Sequence, residues 1–131
     1  MDRQHIIDRL LEHYERPRHY GRLDPADIVV SGGIPDCGDQ VTISMQIEND
    51  RISALRFEGR GCTISQAAAS LLAEQLQGAP LSAIDALDDD QVLDLLGREV
   101  VRARPRCATL ALNTLKTALL QYRNTSAQAD R

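Results

Sequence analysis

Three cysteines carry the strongest chemical signal in this chain of 131 residues. Cys37 lies in the segment IPDCGDQV, Cys62 in GRGCTISQAAAS and Cys107 in PRCATLALNTL. Three thiols cannot all pair within one chain, so they are core residues, reactive thiols or metal ligands. Each falls where a predicted strand or helix begins or ends, and such positions leave sulfur atoms free to converge. Because a helix N-terminus stabilises negative charge, we expect lowered thiol pKa values at Cys62 and Cys107.

An aspartate next to the first cysteine adds a fourth candidate ligand. In an extended backbone, residues two positions apart point to the same side, so Cys37 and Asp39 can face one centre across Gly38. Three thiolates and a carboxylate suit tetrahedral zinc or an iron–sulfur cluster. As the one oxygen ligand, Asp39 is predicted to be the weakest, which favours a site that must open. The alternative is that Asp39 is a turn residue and the cysteines fill the core, since no CxxC pair is present.

Arginines accompany two of the cysteines. Arg102, Arg104 and Arg106 precede Cys107, and Arg60 lies beside Cys62 in the second cysteine segment. Cations near a helix N-terminus oppose the helix dipole, so helix stability does not account for them. They would offset the negative charge of a thiolate-rich metal site, or form a basic loop that contacts an acidic partner.

The elements that must position these residues follow from hydrophobic periodicity and turn residues. The pattern predicts an amphipathic helix over 2–15, a strand over 27–33, a hairpin over 40–59, a helix over 62–77 and a last helix that begins near Cys107. This order predicts an α+β fold, in which helices cover one face of a small antiparallel three-stranded sheet. Residues 1–122 form a single domain in this interpretation, and 123–131 form a disordered polar tail.

Composition narrows the class of protein. The formal net charge of -4 and the isoelectric point near 5.3 argue against a nucleic-acid-binding surface. The chain has no apolar run of the roughly 18 residues that cross a bilayer, and its first residues do not resemble a signal peptide. We therefore expect a cytoplasmic protein without membrane contact, whose thiols stay reduced.

The three cysteine segments resemble, in the same order, those of the IscU/NifU/SufU-type iron–sulfur cluster assembly proteins. The segment HYERPRHYGRL resembles the N-terminal part of that family, which often has Asn where this chain has His19. The resemblance extends from about residue 2 to 122 and implies a SufE/IscU-like α+β fold. It also implies a metal site built from Cys37, Asp39, Cys62 and Cys107, and a cysteine desulfurase as the partner that delivers persulfide sulfur.

Cys37 is predicted to be the persulfide acceptor. Gly32, Gly33 and Gly38 flank it in a predicted loop, whereas Cys62 and Cys107 are attached to helices. A thiol in a mobile loop can leave the metal, meet the donor sulfur and return.

The motifs mix two branches of the family. The IscU branch has His just before the third cysteine and an LPPVK-like motif, whereas this chain has Arg106 and RARPR, which resemble the SufU branch. Only residues 63–106 separate the second and third cysteines, a length similar to that of IscU. The sequence thus leaves open two functions, a zinc-bound sulfur acceptor and a [2Fe–2S] scaffold. Neither would be a stand-alone enzyme. Either would deliver its product to iron–sulfur acceptor proteins or to a downstream scaffold. The alternative is a structural zinc-binding interaction module without sulfur transfer.

Overall fold

The computed structural model describes residues 2–34 and 38–129, with side chains described as far as residue 125. The elements are α1 (Arg3–Glu15), β1 (Ile28–Ile34), β2 (Asp39–Glu48), β3 (Arg51–Arg60), α2 (Thr63–Leu76), α3 (Ser82–Ala86), α4 (Asp89–Leu96), α5 (Arg98–Val101) and α6 (Pro105–Ala129). The predicted first helix, first strand, hairpin and second helix all form within one or two residues of their expected bounds.

The three strands form one antiparallel sheet in the order β1-β2-β3. The predicted hairpin is confirmed, and its turn consists of Asn49 and Asp50, both with positive φ (53° and 60°). Two successive positive φ angles are typical of a type I′ turn, whose twist matches that of the flanking strands. The register places Ile34 opposite Asp39 and Val41 opposite Gly59, so the start of β2 lies between the two outer strands.

The core lies between the sheet and two helices. α6 packs on β1 and β2, whereas α2 packs mainly on β3. α1 packs on α2, and α3 and α4 pack on α6. The inward residues of β2 and β3 are almost fully buried: Val41, Ile43, Met45, Ile52, Leu55 and Phe57. The α+β architecture, with helices on one face of the sheet, is confirmed.

The segment between α1 and β1 has more order than the irregular linker that its prolines and glycines predict. It runs along the free edge of β3, where the Phe57 amide donates to the His19 carbonyl (3.0 Å) and the Gly21 amide donates to the Phe57 carbonyl (2.8 Å). The Leu23 amide donates to the hydroxyl of Ser44, which is buried. The face of the sheet opposite the helices is therefore partly covered by this segment.

The last helix continues into the segment that the sequence assigned to a polar tail. α6 extends to Ala129, and both terminal nitrogens of Arg123 bond Asp85 at 3.2 and 2.8 Å. Residues 123–129 contain no Gly or Pro, so no residue there ends the helix. No helix within the described ranges is long and apolar enough to cross a membrane.

Candidate metal centre

Three of the four predicted ligands come together where β2, α2 and α6 begin. Asp39 is the first residue of β2, Cys62 is the N-cap of α2, and Cys107 is the third residue of α6. One carboxylate oxygen and the two sulfur atoms all lie within 4.8 Å of one another. Cys37, the fourth predicted ligand, lies outside the described residues.

The end of β3 brings Cys62 against Asp39. Gly61 has φ +137°, and a Cβ atom built on it would lie 2.3 Å from Asp39 Oδ1 and 2.9 Å from Asp39 Cα. Only a residue without a side chain leaves room for the carboxylate here. The Cys62 amide donates to Asp39 Oδ1 at 3.0 Å, and its thiol donates to Oδ2 at 3.3 Å. One carboxylate oxygen is thus held by the backbone while the other faces sulfur.

Cys107 is buried, with 3% of its surface exposed. Burial raises the pKa of its thiol to about 12, assisted by hydrogen bonds with Asp39 and Cys62 and by the negative charge of the Asp39 carboxylate. The prediction of a lowered thiol pKa is therefore wrong for Cys107 in the absence of metal. Pro105 begins the helix, so Cys107 does lie in its first turn, but desolvation and the neighbouring carboxylate outweigh the favourable helix dipole.

Asp39 is also buried, with 3% exposed, yet it stays ionised. Burial by itself would raise the pKa of the carboxyl group. Hydrogen bonds from the Cys107 thiol and from the Cys62 amide and thiol more than compensate, and the net pKa lies below the usual value. Without metal, the centre therefore contains an ionised carboxylate that accepts hydrogen bonds from two thiols.

The residues present fit a thiophilic cation. None of the ion pairs among the described residues includes Asp39. A buried carboxylate without a cationic partner is costly, and a metal ion is one of the few groups that can neutralise it there. Two sulfurs and one oxygen supply three of the four ligands of tetrahedral zinc, and both thiols must lose their protons to bind it.

The four arginines that lie near Cys62 and Cys107 in the sequence are all exposed. Arg106 is the second residue of α6 and is exposed, as are Arg102 and Arg104. Arg60 is exposed at the end of β3, and its Nε donates to the Gln40 side-chain oxygen at 3.1 Å. The predicted role of Arg106 in offsetting negative charge stays a prediction.

Two further polar residues of α2 belong to the surroundings of the centre. The Ser65 hydroxyl donates to the Cys62 carbonyl at 3.1 Å and lies 3.9 Å from the Cys62 sulfur. The Gln66 side-chain amide donates to Ser65 Oγ at 3.2 Å. The sequence signal that could have found them is spacing, because residues three and four positions after a helix N-cap lie one turn above it.

Cysteine thiols and one carboxylate come together at the ends of helices and strands in this small α+β domain. This arrangement is typical of a metal-binding protein. The profile of the family described as NifU-like N terminal domain matches residues 6–129. The chain belongs to this family, which confirms the resemblance of its cysteine segments to the IscU/NifU/SufU type.

Relatives of the chain have names from both branches. The chain is 28% identical over 124 residues to the iron–sulfur cluster assembly scaffold protein IscU 1 of Archaeoglobus fulgidus, covering 95% of this chain and 80% of that protein. It is 30% identical over 124 residues to the zinc-dependent sulfurtransferase SufU of Bacillus subtilis, covering 82% and 84%. The crystal structure of the N-terminal part of a nitrogen-fixing NifU-like protein from Brucella abortus has the same fold. Its TM-score is 0.76 at 20% identity, over 91% of this chain and 98% of that structure.

Proposed function

We propose that this protein takes part in iron–sulfur cluster assembly. It accepts persulfide sulfur from a cysteine desulfurase at a centre formed by Cys37, Asp39, Cys62 and Cys107, and passes on sulfur or a nascent [2Fe–2S] cluster. The observation that carries the proposal is the convergence of Asp39, Cys62 and Cys107 within 4.8 Å. Membership of the family supports it, because relatives named as cluster scaffolds and as a zinc-dependent sulfurtransferase both match most of the chain.

Cys37 is the residue to which we assign sulfur acceptance. It is two residues from Asp39 along the chain, whereas Cys107 is buried and its thiol stays protonated because its pKa is about 12. In the transfer, the Cys37 thiolate attacks the outer sulfur of the desulfurase persulfide, and the sulfur–sulfur bond of the donor breaks. The donor cysteine leaves as a thiolate, so the step involves no net oxidation.

Zinc is the resident metal in this proposal, and the cluster, where one forms, is the cargo. Arg106 replaces the histidine that the IscU branch has at this position, which supports the zinc-bound state for the protein at rest. Bound zinc would hold the thiols as thiolates. The proposed downstream partners are iron–sulfur acceptor proteins or another scaffold. The proposed location is the cytoplasm, where thiols stay reduced.

Mass spectrometry of the intact protein tests the proposal. The protein is mixed with a cysteine desulfurase and cysteine without added reductant, and a mass increase of one sulfur atom on Cys37 is expected. Cys37→Ser is expected to abolish this increase while the fold survives. No persulfide on the wild-type protein, despite bound zinc, would instead support a structural zinc module. Transfer at the normal rate to Cys37→Ser, with loss in Cys107→Ser, would overturn the assignment to Cys37.

A further inference from the structure

A closed ring of hydrogen bonds joins the beginning of β2 to the beginning of α2. Asp39 accepts the Cys62 amide at 3.0 Å, and the Cys62 carbonyl accepts the Ser65 hydroxyl at 3.1 Å. The two hydrogens of the Gln66 side-chain amide complete the ring. One is donated to Ser65 Oγ at 3.2 Å and the other to the backbone carbonyl of Gln40, the neighbour of Asp39, at 3.4 Å.

Two members of this ring are shielded from water. Ser65 is 1% exposed and Gln66 is 7% exposed. Buried polar groups cost free energy when their hydrogen bonds are broken, because no solvent replaces the lost partner. The ring therefore resists any movement that separates the start of β2 from the start of α2.

The two glycines of the GRG segment leave space for the ring. A Cβ atom on Gly59 would lie 2.5 Å from the Gln40 carbonyl oxygen and 2.8 Å from Gln66 Oε1. A Cβ atom on Gly61 would lie 2.3 Å from Asp39 Oδ1. Side chains at either position would displace members of the ring, so the end of β3 is shaped around it.

We propose that Gln66 is a positioning residue for the metal centre. Among the described residues, its side chain makes no hydrogen bond to a ligand atom, and it acts through Ser65 on Cys62 and through Gln40 on Asp39. By tying these two elements together, it keeps Asp39 Oδ2 and the Cys62 sulfur 3.3 Å apart, close enough for both atoms to bind one tetrahedral ion. The inference rests on the proposed metal centre and deepens it, because outer hydrogen-bond partners hold metal ligands in place.

The test compares three variants of the full chain. Gln66→Met has a similar length but no amide donor, and Ser65→Ala breaks the ring with a smaller change. Ser70→Ala is the matched control. Ser70 is a buried hydroxyl on the same helix, and it bonds His13 Nδ1 (2.7 Å) and the Arg18 amide (2.8 Å) rather than the ring.

Two measurements report on the ligands directly. One is the visible absorption of the cobalt(II)-substituted protein, and the other is the rate at which a chromogenic chelator removes zinc. Gln66→Met and Ser65→Ala are expected to change the cobalt bands and to speed zinc loss about 10-fold. Ser70→Ala is expected to retain the wild-type spectrum and rate, even if its metal-free form melts at a lower temperature.

The outcomes separate this inference from the function on which it rests. Wild-type cobalt bands and zinc-loss rates in both Gln66→Met and Ser65→Ala would overturn the role of Gln66 and leave the metal centre intact. If Ser70→Ala speeds zinc loss equally, the faster loss reflects general destabilisation of the protein, and the positioning role of Gln66 is also overturned. A wild-type protein that binds neither zinc nor cobalt would refute the metal centre itself.

Discussion

Asp39 and Cys62 contact each other through both oxygens of one carboxylate. Oδ1 lies 3.0 Å from the Cys62 amide nitrogen, and Oδ2 lies 3.3 Å from the Cys62 sulfur. The side chain thus combines two tasks, since it anchors the entrance of α2 with one oxygen and presents the other to a metal. The expectation that Asp39 is the weakest ligand stays a prediction. In this geometry exchange at Oδ2 does not require the anchor at Oδ1 to break.

Two substitutions of Asp39 separate its two tasks. Asp39→Asn keeps an oxygen that can accept the Cys62 amide, whereas Asp39→Ala leaves that donor unpaired. We expect both variants to hold less zinc, and only Asp39→Ala to lose about 1–3 kcal/mol of unfolding free energy in the metal-free state. Zinc analysis and urea unfolding of the purified proteins measure the two effects. Equal unfolding free energies of the two variants would show that the hydrogen bond from the Cys62 amide to Oδ1 does not stabilise the fold.

The colour of Asp39→Ala distinguishes the two branches of the family. A colourless protein with reduced zinc is the expected result for a zinc-bound sulfur acceptor. A brown, zinc-poor protein would favour a cluster scaffold, because loss of an exchangeable ligand slows cluster release. Zinc content and visible absorbance are measured on variant and wild-type proteins purified in parallel, and unchanged zinc without colour would remove Asp39 from the site.

Gly61→Ala is expected to damage the centre, whereas Gly78→Ala serves as a control for backbone strain. Both glycines have positive φ, but a Cβ on Gly61 would overlap Asp39 and one on Gly78 would meet nothing within 4 Å. We expect Gly78→Ala to cost about 1–2 kcal/mol and to leave zinc binding unchanged. Gly61→Ala should cost about 1–3 kcal/mol more and bind zinc weakly. Normal zinc content in Gly61→Ala would show that Asp39 can leave this position without consequence.

Zinc binding should release protons at neutral pH. The pKa of Cys107 is about 12 without metal, so zinc must displace the proton of this thiol. Zinc affinity should therefore fall as pH falls, and a strong chelator should lower the melting temperature of the zinc-bound protein. Cys107→Ala should release about one proton fewer per zinc, measured with an indicator dye in weak buffer. Unchanged proton release in a variant that still binds zinc would exclude Cys107 as a ligand.

The same thiol predicts alkaline destabilisation of the metal-free protein. Its pKa is raised in the folded state, to about 12, above the value of roughly 8.5 for an unfolded chain. Its contribution to stability is therefore complete below about pH 8.5 and is lost as pH rises towards 12. Melting temperatures from pH 8 to 11 should fall more steeply for the wild type than for Cys107→Ala. Parallel curves for the two proteins would show that folding does not raise the pKa of Cys107.

The sequence predicted those parts of the fold that have a local signal. Alternation in 40–48 and the turn at Asn49 and Asp50 were enough for the hairpin, and the periodicity of 62–77 was enough for α2. The pairing of His19 and Gly21 with Phe57 was not predictable, because it joins residues far apart and the segment has no strand pattern. The continuation of α6 to Ala129 has no clear sequence signal, because the polar composition of residues 123–129 is also typical of a disordered tail.

The sequence predicted that Asp39, Cys62 and Cys107 come together, but it did not predict the residues around them. Cysteine positions at element ends indicated that Cys62 and Cys107 converge, and the CGD segment indicated Asp39. Ser65 and Gln66 were missed because serine and glutamine in a helix have no metal-ligand signature of their own. The high pKa of Cys107 was missed because burial and a neighbouring carboxylate depend on packing, which spacing does not reveal.

His19 offers a last prediction, on the segment that covers the edge of β3. Its φ of 59° lies in the left-handed region, which Asn and His tolerate better than most residues and which β-branched residues strongly disfavour. The hydrogen bond from the Phe57 amide to the His19 carbonyl, at 3.0 Å, holds this conformation in place. His19→Asn, the residue that the family often has here, should therefore be neutral or slightly stabilising. His19→Val should cost about 1–2 kcal/mol of unfolding free energy. Urea unfolding of the three proteins without metal tests this order, and a valine variant as stable as the wild type would contradict a left-handed backbone at this position.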